Sequence, residues 1–314
     1  MKAMQKQMVK RLLLGTLVVA LLIPGGLIYS NFRADRARAF ERIAAGGKVI
    51  ETACGPVEYS EVGQGAPVLV IHGAGGGYDQ GEFFARTIGG NFRWIAPSRF
   101  GFLGSPVPEG ADTAMQADAY ACLLDALGIE RVGVMGVSMG GPSALMFAQR
   151  YPQRTSSLVL ASAVSHAVPP RPAALTALFN VFTDDFVFWS IEKISKESLL
   201  AALGVPMEDQ KTMTPQQAEE IYGFVEDLMP MSARHAGQLL EQHMSEYDAE
   251  LIDSIQAPTL VIHARNDTLV AFDQGEYSAS RIPGARLVAL EKGGHFALLL
   301  DPDAIDQVIE FLGQ

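Results

Sequence analysis

The sequence contains little cysteine and little positive charge. Its two cysteines, Cys54 and Cys122, are too few for a disulfide framework or a cysteine-based zinc site, and they do not report the redox compartment. The 24 Lys and Arg residues are outnumbered by 35 Asp and Glu residues, so the net charge is −11 and no basic face for a nucleic-acid partner is found. No pair of histidines has ligand-like spacing beside a carboxylate, so neither a metal nor another cofactor is expected.

Apolar residues, in contrast, are abundant enough for a close-packed core. They make up 48% of the 314 residues, and charged residues make up 19%. This composition excludes a disordered, collagen-like or coiled-coil polypeptide. The length suggests one large domain, or one domain that carries an inserted second unit, and it does not define the oligomeric state.

The first 42 residues differ from the rest, with eight basic residues against two acidic ones. Residues 12–30 contain no charge, and as a helix they would reach roughly 28 Å at ~1.5 Å per residue, close to the hydrocarbon thickness of a bilayer. This pattern predicts a membrane anchor formed by a single N-terminal apolar helix. The alternative is a cleaved signal peptide, which would leave a secreted or periplasmic protein. Four basic residues flank each side of the segment, so the membrane side is not defined.

Short apolar runs rich in β-branched residues recur along the remainder of the chain, separated by helical stretches such as 114–127 and 304–312. The runs are Val68–Ile71, Val132–Gly136, Leu158–Ala161, Thr259–Ile262 and Arg286–Leu290. Runs of this kind are typical of parallel strands covered on both faces, so the sequence predicts an α/β fold with a mostly parallel, doubly wound sheet. Two further runs, 49–52 and 57–62, predict an antiparallel hairpin at the edge of the sheet.

One stretch, residues 166–254, has helical periodicity and no convincing strand. The predicted organisation is therefore an N-terminal segment (1–42), a first part of the core (43–165), a helical cap (166–254) and a second part of the core (255–314). A helical insertion in such a sheet is expected over the carboxyl ends of the strands, where α/β folds bind ligands. A helical dimerisation element is the alternative.

The sequence Gly136-Val137-Ser138-Met139-Gly140 follows an apolar strand and precedes a helical stretch. In that context a G-x-S-x-G pattern indicates a nucleophilic serine, because the flanking glycines let the backbone turn sharply and expose the hydroxyl. A serine hydroxyl needs a neighbouring base, and the base needs an acid that fixes its tautomer. Asp267 and His295 follow the last two predicted strands, so both are expected to meet Ser138 at one edge of the sheet.

These motifs, in this order, resemble the α/β-hydrolase fold family of serine hydrolases with a helical cap, over roughly residues 48–313. The resemblance implies that Ser138 is the nucleophile, His295 the general base and then acid, and Asp267 the orienting carboxylate. It also implies an oxyanion hole made of the backbone N–H groups of Met139 and Ala74.

Two residues are candidates for contact with the substrate. Gly75 lies in the glycine-rich loop that follows His72, and Arg99 lies in the loop 97–105. Arg99 would either bind a carboxylate of the substrate or support its own loop, and support is the favoured interpretation.

A serine nucleophile disfavours the epoxide-opening and dehalogenating relatives, which use aspartate at this position. The predicted activity is hydrolysis of a small or lipid-like carboxylic ester through an acyl-enzyme. The alternative within the class is a carbon–carbon bond hydrolase of ring-fission products, which the glycine-rich loop resembles, although the usual Gly-Pro-Gly is absent. A non-catalytic receptor or scaffold on the same fold is the alternative outside it.

Overall fold

The computed structural model describes residues 2–167, 180–244 and 249–314. Eight strands form one sheet with the order β1-β2-β4-β3-β5-β6-β7-β8. The strands are β1 (Lys48–Thr52), β2 (Gly55–Val62), β3 (Ala66–Ile71), β4 (Phe92–Pro97), β5 (Val132–Val137), β6 (Thr155–Ala161), β7 (Thr259–Ala264) and β8 (Arg286–Leu290). All neighbours from β4 to β8 are parallel, whereas β2 pairs antiparallel with both β1 and β4. The predicted doubly wound sheet and its edge hairpin are therefore confirmed.

Both faces of the sheet are buried at its central strands, which explains why a strand such as β5 is a continuous apolar run. Along β5, Met135 and Val137 contribute to the hydrophobic cluster on one face. Val132 and Val134 contribute to the cluster on the opposite face. Because successive side chains of a strand point to opposite faces, a strand covered on both sides needs apolar residues at every position.

Helices cover the two faces and fill the insertion between β6 and β7. Helix α1 (Lys2–Gly46) precedes the sheet, and the helices on the core are α2 (Tyr78–Ile88), α3 (Thr113–Ala126), α4 (Gly141–Arg150), α10 (Asp273–Arg281), α11 (Ala297–Leu300) and α12 (Pro302–Leu312). Those in the insertion are α5 (Asp185–Ile194), α6 (Lys196–Ala202), α7 (Met207–Gln210), α8 (Pro215–Asp227) and α9 (His235–Met244). The insertion carries no strand within 180–244 or 249–254. Residues 168–179 and 245–248 of the predicted cap lie outside the described residues.

The membrane anchor predicted at the N-terminus is wrong. In the part of the chain that the structure describes, no helix combines the length and the apolar character that crossing a membrane requires. The finding overturns the anchor and the localisation built on it. The predicted basic flank instead packs on the protein itself: Phe32 and Ile43 of α1 are buried, Arg36 pairs with Asp185 and Arg42 pairs with Asp79.

The hairpin β1–β2 is joined covalently to the helical layer. Cys54, in the turn between the two strands, forms a disulfide with Cys122 of α3. The two cysteines therefore make a single bridge rather than a framework.

Candidate active site

Ser138 lies at the sharp turn between β5 and α4. Its φ is 51°, in the left-handed region that side chains other than glycine rarely adopt. The glycines of the motif are required by close packing, because a Cβ on Gly136 would lie 2.6 Å from the Cβ of Ala144 and one on Gly140 would lie 2.4 Å from the carbonyl oxygen of Ile71. The Ser138 hydroxyl is buried and makes no hydrogen bond to any described residue, so hydrogen bonding joins Asp267 to His295 but does not join His295 to Ser138.

Asp267 and His295 are in direct contact. Nδ1 of His295 lies 2.8 Å from Oδ2 of Asp267, and the side chain of Asp267 is fully buried. Because Nδ1 donates to the carboxylate, the neutral imidazole has a free lone pair on Nε2 with which to accept a proton. Both residues follow strands parallel to β5, so they lie at the same carboxyl edge of the sheet as Ser138.

The carboxylate of Asp267 is held in its charged form. Burial opposes ionisation, but hydrogen bonds from His263, His295 and the backbone N–H of Val270 outweigh it and hold the pKa of Asp267 well below its usual range. Oδ1 accepts the backbone N–H groups of Leu269 (2.8 Å) and Val270 (2.9 Å), which leaves Oδ2 for the imidazole. The lowered pKa favours the charged carboxylate, and the two backbone bonds fix its orientation.

The insertion fixes the loop that carries His295. The backbone N–H of His295 donates to the carbonyl of Gly204, at 2.8 Å. The buried carboxylate of Asp209 accepts the N–H of Gly293 and the side-chain amide of Asn266, both at 2.7 Å. Asp209 thus connects the loop of the acid to the loop of the base, although it is distant from both in sequence.

The predicted oxyanion loop lies against Ser138. A Cβ on Gly73 would approach the Cβ of Ser138 to 2.9 Å, so only glycine allows this contact. Gly73 and Gly76 close a turn through the bond from Gly76 N–H to Gly73 C=O (3.3 Å), with Gly75 at φ 65°. The N–H of Ala74 donates to no described acceptor. Ala74 and Met139, which directly follows Ser138, stay predicted oxyanion donors.

Arg99 is buried rather than open to solvent, with 3% of its surface exposed. Its guanidinium donates to the carbonyl of Gly73 (3.0 Å) and pairs with Glu241 of α9. Gly75, the other candidate for substrate contact, is also buried, and a Cβ on it would lie 3.4 Å from Nε2 of Gln238. The roles of both residues stay predictions.

A second buried ion pair ties the oxyanion loop to the insertion. Arg234, with no exposed surface, bonds to both carboxylate oxygens of Asp79 (3.0 and 2.6 Å) and to the carbonyl of Gly76 (2.7 Å). Arg42 of α1 contacts the same carboxylate at 3.0 Å. Burial raises the pKa of Asp79, but the charges and hydrogen bonds of Arg234 and Arg42 outweigh it and lower the pKa to about 2.

Asp79→Asn should therefore destabilise the fold by roughly 3 to 5 kcal/mol, because Arg234 would remain buried without its partner. The wild-type carboxylate has a lowered pKa in the folded state, so its contribution is complete above the unfolded pKa of about 4 and is lost as the pH falls towards 2. Urea unfolding at pH 7 and between pH 5 and pH 2 measures both effects.

The matched control is Asp118→Asn, which breaks a more exposed pair with Arg150 and should cost at most about 1 kcal/mol. Equal losses in the two variants would contradict the prediction.

The sequence identified the candidate catalytic residues that follow the strands, but it did not identify the residues that hold their loops in place. Asp209, His263, Arg234 and Glu241 all contact the site or its loops. Only His263 had a detectable signal, since it lies four residues before Asp267 at the end of a strand; its Nε2 lies 3.4 Å from Oδ2 of Asp267. The others lie in the insertion, whose sequence pattern gives no indication of which side chains reach the core.

Comparison with known families identifies the fold independently. A family model described as alpha/beta hydrolase fold matches residues 66–302. The chain belongs to the α/β-hydrolase fold family. The predicted resemblance is confirmed, and the matched range includes strands β3 to β8, the insertion and all three candidate catalytic residues.

Relatives of this α/β-hydrolase are named as hydrolases. The chain is 30% identical to a 2-hydroxy-6-oxo-6-phenylhexa-2,4-dienoate hydrolase of Comamonas testosteroni, over 82% of this chain and 91% of that protein. Among solved structures, an alpha/beta hydrolase fold protein from Nakamurella multipartita is 31% identical, with a TM-score of 0.71 over 85% of this chain and 99% of the other. A variant of a meta-cleavage product hydrolase is 26% identical, with a TM-score of 0.66 over 85% and 98% of the two chains. This protein is thus a hydrolase of the family.

Proposed function

We propose that this α/β-hydrolase uses Ser138, His295 and Asp267 to cleave a carbon–carbon bond next to a ketone, in a ring-fission product of the 2-hydroxy-6-oxo-dienoate type. The observation that carries the proposal is the Asp267–His295 pair, at the same sheet edge as a serine in a strained turn. The relative from Comamonas testosteroni, whose name states this kind of substrate, supports the choice of bond. The predicted alternative is thereby favoured over ester hydrolysis.

The residues supply each step of that reaction. Ser138 attacks the 6-oxo carbon and passes its proton to Nε2 of His295, while the N–H groups of Ala74 and Met139 stabilise the oxyanion. The bond between carbons 5 and 6 of the substrate, in its 2-oxo tautomer, then breaks. Its electron pair passes through the conjugated double bond onto the 2-oxo oxygen, which takes the proton from His295, so the 2-hydroxydienoate leaves with carbon 5 as a CH₂ group. Water, deprotonated by His295, hydrolyses the acyl-enzyme and frees Ser138.

Ester hydrolysis is the second candidate, because the same acyl-enzyme forms when an alcohol leaves instead of a carbanion. One observation favours it. Both arginines beside the oxyanion loop are already paired, Arg99 with Glu241 and Arg234 with Asp79. A neutral ester needs no cation from the protein, whereas a dienoate carries a carboxylate.

The two candidates are separated by comparing kcat/KM on two kinds of substrate with the purified wild-type chain. We expect turnover of 2-hydroxy-6-oxo-6-phenylhexa-2,4-dienoate, followed as loss of its absorbance, to exceed turnover of p-nitrophenyl esters from acetate to decanoate. The reverse order, by a factor of ten or more, would assign the protein to ester hydrolysis. Folded protein that turns over neither kind of substrate and is not labelled by a fluorophosphonate would contradict the proposed function and favour a binding role.

A further inference from the structure

The carbonyl of Gly73, in the predicted oxyanion loop, accepts three hydrogen bonds. It accepts hydrogen bonds from the N–H of Gly76 (3.3 Å), from Nδ1 of His72 (2.8 Å) and from the guanidinium of Arg99 (3.0 Å). On the other side of the residue, the N–H of Gly73 donates to Oε1 of Gln80 at 2.5 Å. The orientation of the peptide between Gly73 and Ala74 is therefore set by these partners.

That orientation determines where the N–H of Ala74 points. The peptide is trans, since Met229-Pro230 is the only cis bond in the described chain. In a trans peptide the C=O and the following N–H point in opposite directions. The donors that hold the Gly73 carbonyl on one side consequently direct the Ala74 N–H to the other, away from the Arg99 guanidinium.

Arg99 controls two of these donors. Its backbone N–H donates to Nε2 of His72 at 2.9 Å, so the ring proton of the neutral imidazole must be on Nδ1, which faces the Gly73 carbonyl. Burial, and then the charge of Arg99, lower the pKa of His72 well below its usual value and keep the ring neutral. The guanidinium of Arg99 supplies the second donor directly.

The guanidinium is in turn fixed by the insertion. Glu241 of α9 forms the ion pair with it, and the ring of Phe102 lies 4.8 Å from its central carbon. Two backbone bonds join the same regions, from Gly237 N–H to Gly101 C=O (2.8 Å) and from Leu103 N–H to Ala233 C=O (3.0 Å). The cap helix and the oxyanion loop are thus connected through the Arg99 loop.

We infer that Arg99 is a positioning residue for the oxyanion hole, acting through the carbonyl of Gly73, and that Glu241 couples this function to the position of the cap. The inference rests on the proposed function, because it assigns Ala74 as an oxyanion donor. Displacement of α9 would release the Arg99 guanidinium from its ion pair with Glu241. The Gly73 carbonyl would then be free to rotate, and the Ala74 N–H would no longer point in the required direction.

A different role, recognition of a substrate carboxylate by Arg99, gives a different kinetic pattern. Loss of a carboxylate ligand would raise KM for an anionic substrate and leave a neutral one unaffected. Loss of a positioning residue would lower kcat for both, because the oxyanion forms in both reactions. The matched pair of substrates is p-nitrophenyl butyrate and p-nitrophenyl hemisuccinate, which differ in the terminal carboxylate.

The variants are Arg99→Gln, Arg99→Lys and Glu241→Gln, each compared with wild type. Arg99→Lys retains the buried charge and so preserves folding, but its single ammonium cannot reproduce the geometry of the guanidinium fork. We expect kcat to fall roughly 10- to 100-fold in both Arg99 variants with KM changed less than about threefold on either substrate, and a smaller fall of the same kind in Glu241→Gln. Arg150→Gln, at a partly exposed arginine far from these loops in the sequence, is the control and should retain wild-type kinetics.

Two further readouts separate positioning from loss of structure. A trifluoromethyl ketone forms an oxyanion on the serine, so its affinity should fall by the same factor as kcat in the Arg99 variants. Methylguanidinium at tens of millimolar should restore part of kcat in Arg99→Ala, whereas ammonium at equal ionic strength should not. Thermal unfolding reports whether each variant is folded in the assay.

The inference is overturned if a folded Arg99→Lys or Glu241→Gln keeps wild-type kcat and inhibitor affinity, or if the Arg99 variants raise KM for the hemisuccinate alone. Loss of kcat without loss of inhibitor affinity would also overturn it. These outcomes leave the proposed function intact, since wild type would still turn over its substrates. A wild type that turns over neither these esters nor 2-hydroxy-6-oxo-6-phenylhexa-2,4-dienoate and takes up no fluorophosphonate would instead remove the proposed function, and this inference with it.

Discussion

Ser138→Ala should lower kcat by on the order of 10⁶-fold, because the acyl-enzyme cannot form without the hydroxyl and the remaining groups act only on a bound water. The measurement is single-turnover hydrolysis of the better of the two substrates, together with fluorophosphonate labelling, which should disappear. Binding of a substrate analogue that forms no covalent bond should change little, since only one hydroxyl is removed. Residual kcat above about one-thousandth of wild type in a folded variant would show that another group is the nucleophile.

The chain offers a matched control for this variant. Ser162 also has a positive φ (45°), is also buried and directly follows the neighbouring strand β6. Ser162→Ala removes a hydroxyl from a comparable backbone and should leave kcat within about threefold of wild type. If both serine variants lost activity equally, the loss would reflect disturbed packing at the sheet edge rather than removal of a nucleophile.

The strained backbone at Ser138 should also affect the free energy of unfolding. Ser138→Gly removes the Cβ that the left-handed conformation disfavours, so it should raise the free energy of unfolding by about 1 kcal/mol relative to Ser138→Ala. Both variants lack the hydroxyl and should be equally inactive. Urea unfolding of the pair therefore measures the cost of holding a side chain at this position.

The parts of the fold that the sequence predicted are those set by local pattern. Strand 132–137 is apolar at every position, and strand 259–264 is apolar except at Thr259 and His263, because both faces of the sheet are covered there, and that requirement is visible in sequence. Strand β4 was missed because Arg93 and the terminal Pro97 interrupt its apolar run. The candidate catalytic residues were detectable for the same reason, since each follows such a strand.

Contacts between distant segments could not be predicted in this way. Arg36 and Arg42 resemble the basic flank of a membrane helix, and a sequence does not distinguish a lipid headgroup from the carboxylates of Asp185 and Asp79, to which they bind. Glu241 and Asp209 carry no motif, because their function depends on where the insertion folds back on the core. The residues that hold the loops of the site could therefore not be predicted from the sequence, whereas the candidate catalytic residues could.

Asp267→Asn should lower kcat roughly 10⁴-fold while the protein stays folded, and the hydrogen bonds at this residue predict why. Oδ1 of Asp267 accepts two backbone N–H groups, so an asparagine would keep its amide oxygen there. Its NH₂ group would then take the place of Oδ2 and donate to Nδ1 of His295. The ring proton would move to Nε2, and the base would lose the lone pair that accepts the serine proton.

The matched control is Asp273→Asn, in the same loop region but exposed, at the first turn of α10. It removes the same charge and should change kcat less than about threefold. The pH profile separates two explanations for a loss of activity in Asp267→Asn. Activity that recovers at high pH, where hydroxide replaces the imidazole as base, indicates the wrong tautomer. Loss of activity at every pH, together with a lowered unfolding midpoint, would indicate collapse of the loop. An Asp267→Asn variant as active as Asp273→Asn would exclude Asp267 as the orienting acid, because the tautomer of His295 would then be set by another group.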